Sequence, residues 1–123
     1  MKHIKPFKHI VIAAVAATAL ASCGTTAETV KPLYSWGDYE DVTYQYKKKN
    51  TDQQRTKLLE EYSRLIANQT ASRGTVPPGL YAEYGYLLYQ GGDREKGIEY
   101  LNKEITLYPE SEVYISRILK QLK

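Results

Sequence analysis

Four times between Thr51 and Lys123, apolar side chains recur every three or four residues, and each run is cut short by a turn signal. Leu58, Leu59, Tyr62, Leu65 and Ile66 form the first stripe, and Leu80, Tyr84, Leu87 and Leu88 the second. Ile98, Leu101, Ile105 and Tyr108 form the third, and Ile115, Ile118, Leu119 and Leu122 the fourth. That period belongs to an α-helix with one buried face. The breaks are Asn68 to Gly74 with Pro77-Pro78, then Gly91-Gly92-Asp93, then Pro109. Short breaks of this kind favour antiparallel neighbours. The spacing therefore predicts an all-α fold, a layered stack of helical hairpins ending in a C-terminal capping helix.

Local signals place the helix ends. Thr51 with Gln54 three residues on has the form of a capping box, and Lys57, Glu60, Glu61 and Arg64 fill the wet side of that helix. Pro77-Pro78 suits the start of a helix over Gly79 to Gln90, with Gly91 as its left-handed stop. Asp93 is expected to cap a helix from Arg94 to Tyr108, and Ser111 the last one, where Lys120 and Lys123 favour the C-terminus. A further helix is expected from Tyr39 to about Lys48, capped by Asp38. The cluster Tyr34, Trp36, Tyr39, Tyr44 and Tyr46 would also suit a strand.

The first 22 residues differ from the rest. Lys2, Lys5 and Lys8 precede an uncharged, Ala-rich run from Ile10 to Ala21. A positive start, a short apolar core and small residues before a cleavage point describe a signal peptide. The run is too short for a membrane span, which needs about 20 residues. Leu20, Ala21, Ser22 and Cys23 match the lipobox of bacterial lipoproteins, in which small residues admit the backbone to the peptidase and the thiol takes the lipid. Cys23 is the chain's one cysteine, so no disulfide within the chain competes for it. Acylation there, a diacylglycerol thioether usually joined by an N-acyl chain, would anchor the chain stably. Gly24 rather than Asp follows, which points to the outer membrane, facing the periplasm. Residues 23–32 lack periodicity and read as a tether, leaving 33–123 as the folded domain.

Removing the leader changes the composition. It holds both histidines, three lysines and no acidic residue, so the remaining 101 residues carry 14 basic and 14 acidic side chains. Neutrality argues against a nucleic-acid partner. A mature chain without histidine excludes His-based acid–base chemistry and Cys/His metal sites. Glu60-Glu61 and Asp38/Glu40/Asp41 read as solvated faces and caps rather than a catalytic pair, and Lys47-Lys48-Lys49 as a solvated face. No enzyme activity and no cofactor beyond the covalent lipid is expected.

From Tyr81 to Pro109 the sequence resembles the tetratricopeptide repeat. Pro109 stands at the repeat's terminal proline, Tyr84-Gly85 at its Leu-Gly pair, Gly92-Asp93 at its turn and Ile98 to Leu101 at its second-helix core. Gly97 and Glu104 replace alanines, and Glu104 implies looser packing onto the next helix. The chain from about residue 20 to 122 also resembles a family of small bacterial lipoproteins built on a domain of unknown function. That resemblance rests on Leu33-Tyr34-Ser35-Trp36-Gly37-Asp38-Tyr39-Glu40, Val76 to Ala82, Gly91-Gly92-Asp93 and Tyr108 to Ser111. It implies a part in an envelope complex beside a lipoprotein related to the curli secretion pore protein CsgG.

Twelve tyrosines, all beyond the leader, supply the aromatic bulk of a mature chain without phenylalanine. Tyr62, Tyr84 and Tyr108 lie on apolar stripes and are expected in the core. Tyr86 and Tyr89, with Gln90 beside them, fall where the resemblance to the repeat implies a concave groove, and are candidates for partner contact. Tyr34, Trp36 and Tyr39 are either a lid on the first hairpin or a docking patch. The expected function is a lipid-anchored, protein-binding adaptor of the periplasm. The alternative is a structural subunit of a CsgG-related secretion-type complex with no transient ligand.

Overall fold

The computed structural model describes residues 29–122, so the signal segment, Leu20, Ala21, Ser22, Cys23 and most of the tether lie outside the described residues. Residues 31–122 form one compact unit of helices and turns. The elements are α1 (Tyr39–Lys49), α2 (Asp52–Ala67), α3 (Leu80–Gln90), α4 (Arg94–Leu107), a 3-10 turn (Pro109–Ser111) and α5 (Glu112–Gln121). The fold is all-α with a C-terminal helix, and the aromatic cluster after residue 34 leads into a helix rather than a strand.

Helix ends follow the expected chemistry in part. Thr51 Oγ1 accepts from the N–H of Gln54 at 3.3 Å. The turn after α3 is a Schellman motif: the Gly92 N–H reaches Tyr89 O and the Asp93 N–H reaches Leu88 O, both at 3.1 Å. Its left-handed residue is Gly92 (φ 99), not Gly91, whose φ is −83. Asp38, Asp93 and Ser111 make no side-chain cap bond. Asp38 pairs with Arg64 at 3.0 Å, and Ser111 Oγ donates to the Tyr108 carbonyl at 2.7 Å.

The missing caps are supplied from a distance. Glu61, only 6% exposed, accepts the Asp38 N–H at 2.9 Å and pairs with Arg64. Glu104, 2% exposed, accepts the N–H groups of Gly79 (2.7 Å) and Ala82 (3.3 Å). Each carboxylate sits on the second helix of a hairpin and satisfies amides that the first helix leaves without an internal partner. Glu61 is thus not on the wet side of α2, and Glu104 tightens its hairpin rather than loosening the stack. Gly37 and Gly79, which precede α1 and α3, both have positive φ (47 and 91). At Gly37 a Cβ would stand 2.5 Å from Glu61 Oε1, so glycine makes room for the carboxylate. The buried faces Gln54, Leu58, Glu61 on α2 and Gly97, Leu101, Glu104 on α4 lie 43 residues apart position for position. The two hairpins repeat one design.

These bonds set direction. The end of α2 meets the start of α1, and the end of α4 meets the start of α3, so both hairpins are antiparallel. Tyr108 donates to Val76 O at 2.6 Å, joining the segments that precede α5 and α3, while the Tyr89 hydroxyl bonds Leu122 O where both helices finish. Helices α3 and α5 therefore run parallel. The core is Leu58, Tyr62, Leu65, Val76, Leu80, Tyr84 and Leu87, continued by Leu101 and Ile115.

Helices α3 and α4 cross at Gly85 and Gly97. A Cβ on Gly97 would lie 2.6 Å from Gly85 O, and one on Gly85 would lie 2.6 Å from Gly97 O. Alanine is the better helix former by about 1 kcal/mol, yet backbone cannot retreat from such a clash without separating the helices. Gly97→Ala should therefore destabilise by about 2 kcal/mol. In urea unfolding this would appear as a lower midpoint with an unchanged slope.

Candidate functional site

Six rings run in sequence through the bundle. Trp36 meets Tyr39 (5.2 Å between centroids), Tyr39 meets Tyr62 (5.9 Å), Tyr62 meets Tyr84 (5.9 Å), Tyr84 meets Tyr100 edge-on (4.6 Å), and Tyr100 meets Tyr81 (5.7 Å). All are tilted or edge-to-face, the arrangement that ring quadrupoles favour. Lys103 Nζ closes the far end, 4.3 Å from the Tyr100 centroid. The spacing arises because α1 to α4 each present tyrosine where Leu or Phe would pack as well, and every buried hydroxyl then needs an acceptor.

Glu83, in the first turn of α3, is the acceptor for two of them. Its Oε2 takes the hydroxyls of Tyr39 at 2.7 Å and Tyr62 at 2.6 Å. Burial first, and the hydrogen bond to Glu83 second, push the Tyr39 hydroxyl up to about 12 and move Tyr62 in the same direction. Tyr108 is raised as well, by burial and then by the neighbouring Tyr34 hydroxyl.

Beside Glu83, helices α3 and α5 leave a groove of about 590 Å³. Gly79, Ala82, Glu83 and Tyr86 line one wall, and Tyr114, Ile118, Gln121 and Leu122 the other. Tyr86 (41% exposed) and Tyr114 (66%) stand in the open, while Ile118 and Leu122 are half-buried. The arrangement offers apolar floor, two ring faces, a carboxylate and an amide, which suits recognition of a peptide-like ligand.

The sequence-derived candidates fall in different places. Tyr86 lines this groove. Tyr89 is half-buried, its hydroxyl on Leu122 O, its ring beside Arg94 (5.5 Å) and its backbone against Gly97. Gln90 lies in a separate polar cleft with Tyr46, Asn50, Arg55 and Gly91. Trp36 and Tyr39 begin the ring series, whereas Tyr34 turns toward Tyr108. Tyr114 and Glu83 escaped sequence reasoning, and Ile118 was read as part of the buried stripe of α5. Tyr114 carried a readable signal, since it stands off the Ile115/Ile118/Leu119/Leu122 stripe. Glu83 carried none, because its partners lie 44 and 21 residues upstream. Among the described residues no cluster of His, Cys, Asp and Glu is arranged to hold a metal, and no helix is long and apolar enough to cross a membrane.

Fold and groove together define a small helical-hairpin domain with an open aromatic trough. Residues 33–118 match the family model described as Domain of unknown function (DUF4810), and the chain belongs to that family. No curated protein and no solved structure matches it.

Tyr39 titrates at about 12 when folded against an ordinary 10.0. A folded pKa above the unfolded one gives stability that is complete below pH 10 and disappears as pH rises through about 12. Glu83→Gln should bring Tyr39 and Tyr62 back toward ordinary tyrosine titration and move alkaline unfolding to lower pH. Tyrosinate absorbance and circular dichroism, followed together against pH, read both effects.

Proposed function

We propose that this protein is a lipid-anchored periplasmic adaptor that holds a segment of a protein partner in the α3–α5 groove within a cell-envelope complex. The observation that carries the reading is the pair Tyr86 and Tyr114. They expose two large rings across a trough, while the other rings on α3 are buried or half-buried. Solvent-facing tyrosines beside an apolar floor are the usual anchors of recognition. The repeated hairpin supports the same reading, because stacked units of tetratricopeptide type bury one face on their neighbours and leave a curved face free. Glu83 and Gln121 supply acceptors for the amides of an extended or helical segment.

The anchoring half rests on Leu20-Ala21-Ser22-Cys23, with the thiol of Cys23 as the site of the diacylglycerol and Gly24 directing the product to the outer membrane. The family resemblance makes a CsgG-related lipoprotein the first candidate partner. No reaction is assigned to the groove, where Glu83 is the only ionisable group besides its tyrosines.

A photo-reactive phenylalanine analogue at position 86, crosslinked in living cells, should capture one protein partner reproducibly. Tyr86→Ala with Tyr114→Ala should cut capture from position 118 about tenfold, the loss expected for two interfacial rings, without changing helicity. Crosslinks to lipid or glycan alone would overturn the adaptor reading.

A further inference from the structure

Exposed apolar side chains are distributed unevenly over residues 31–122. Eight large ones are exposed, and five of them, Leu33, Trp36, Leu107, Val113 and Tyr114, stand at one end of the bundle. That is the end where α1, α3 and α5 begin and α2 and α4 finish, as the Glu61–Asp38 and Glu104–Gly79 bonds require. Of the other three, Tyr44 and Tyr86 lie at mid-helix and Ile98 near the opposite end.

The chain enters the domain at the same end. The N–H groups of Ser72 and Arg73 donate to the carbonyls of Pro32 and Leu33, both at 3.0 Å, and Ser72 Oγ donates to Lys31 O at 3.2 Å. Seven residues, Gly24 to Val30, separate Cys23 from this pinned segment. Fully extended they reach about 25 Å. Helix α2, with 16 residues, is itself about 24 Å long. A lipid on Cys23 therefore keeps this end within about 25 Å of the bilayer, and the distribution of exposed apolar side chains decides which end meets the lipid. The charges here are mixed with acidic groups in excess, Lys31, Arg64 and Arg73 against Asp38, Glu40, Asp41, Glu110 and Glu112. Attraction to anionic headgroups is not the driver. Trp and aliphatic side chains without a basic surplus match the boundary between headgroups and acyl chains of a zwitterionic bilayer.

We infer that this end of the domain lies on the phospholipid bilayer, with Leu33, Trp36 and Val113 in the headgroup–acyl boundary and Tyr114 left to the groove. The inference rests on acylation of Cys23 and deepens that reading by naming the face the membrane takes. The amino ends of α1, α3 and α5 then point toward the lipid. The groove has its Tyr114 mouth at the surface and its Leu122 end toward the periplasm.

Trp36 is the only tryptophan, so its fluorescence reports this end alone. The lipidated protein is reconstituted in phosphatidylcholine vesicles containing phosphatidylcholine brominated high on the acyl chain. Trp36 emission should fall about twofold and be shielded from aqueous iodide, and Leu33→Asp with Val113→Asp should abolish both effects. A Trp36→Phe, Tyr44→Trp protein should show neither. Mass spectrometry of the same sample reads acylation separately. An acylated protein quenched by iodide and not by bromolipid overturns the orientation and leaves the anchor standing. Trp36 shielded from both quenchers places protein over the patch and overturns it too. An unacylated chain removes the anchor reading, and the Cys23→Ser protein then decides the patch. Its sedimentation with the same vesicles, weakened about tenfold by the Asp pair, supports the patch, and failure to sediment overturns it.

Discussion

A helix that begins inside a folded domain leaves amide groups which water cannot reach, and this protein answers with carboxylates sent back from the next helix. Glu61 and Glu104 do the same task 43 residues apart. Each is buried, so the partner it meets must be fixed closely in space, because an unsatisfied buried carboxylate is costly. That requirement sets the register of α1 on α2 and of α3 on α4. It also gathers the amino ends of α1 and α3 at the end where the chain enters.

With the hairpins so fixed, the tyrosines divide into two kinds. Those facing the seams of the bundle form or border the continuous ring series, and four of their hydroxyls find acceptors: Glu83 for Tyr39 and Tyr62, Val76 O for Tyr108, Leu122 O for Tyr89. A phenylalanine core would have needed none of these bonds and would have specified less. Tyr86 and Tyr114 face outward because, among the described residues, no further helix covers the groove between α3 and α5. Val113 and Tyr114 are exposed at the end of the bundle that also exposes Leu33 and Trp36.

Much of the helical plan was legible. The stripes on α2 and α3 are the buried faces, Thr51 caps α2, and the Gly-Gly-Asp turn stops α3. The third stripe was misleading in an instructive way. Ile98 is 38% exposed and the buried line on α4 is Gly97, Leu101 and Glu104. Hydropathy counts glycine and glutamate as wet, yet a backbone crossing needs the first and an orphan helix end needs the second. Tyr89 illustrates the same difficulty at the candidate site. Its position on α3 suggested a free ring, and its hydroxyl is committed to the end of α5, 33 residues away.

The residue order alone was sufficient for the helices and their approximate ends, because each depends on neighbours within a few positions. Which carboxylates are buried, which tyrosines stay free and which end of the domain collects the exposed apolar side chains were settled only by packing. Those outcomes depend on groups 20 to 45 residues apart meeting at hydrogen-bonding distance, and periodicity along a chain carries no information about such meetings.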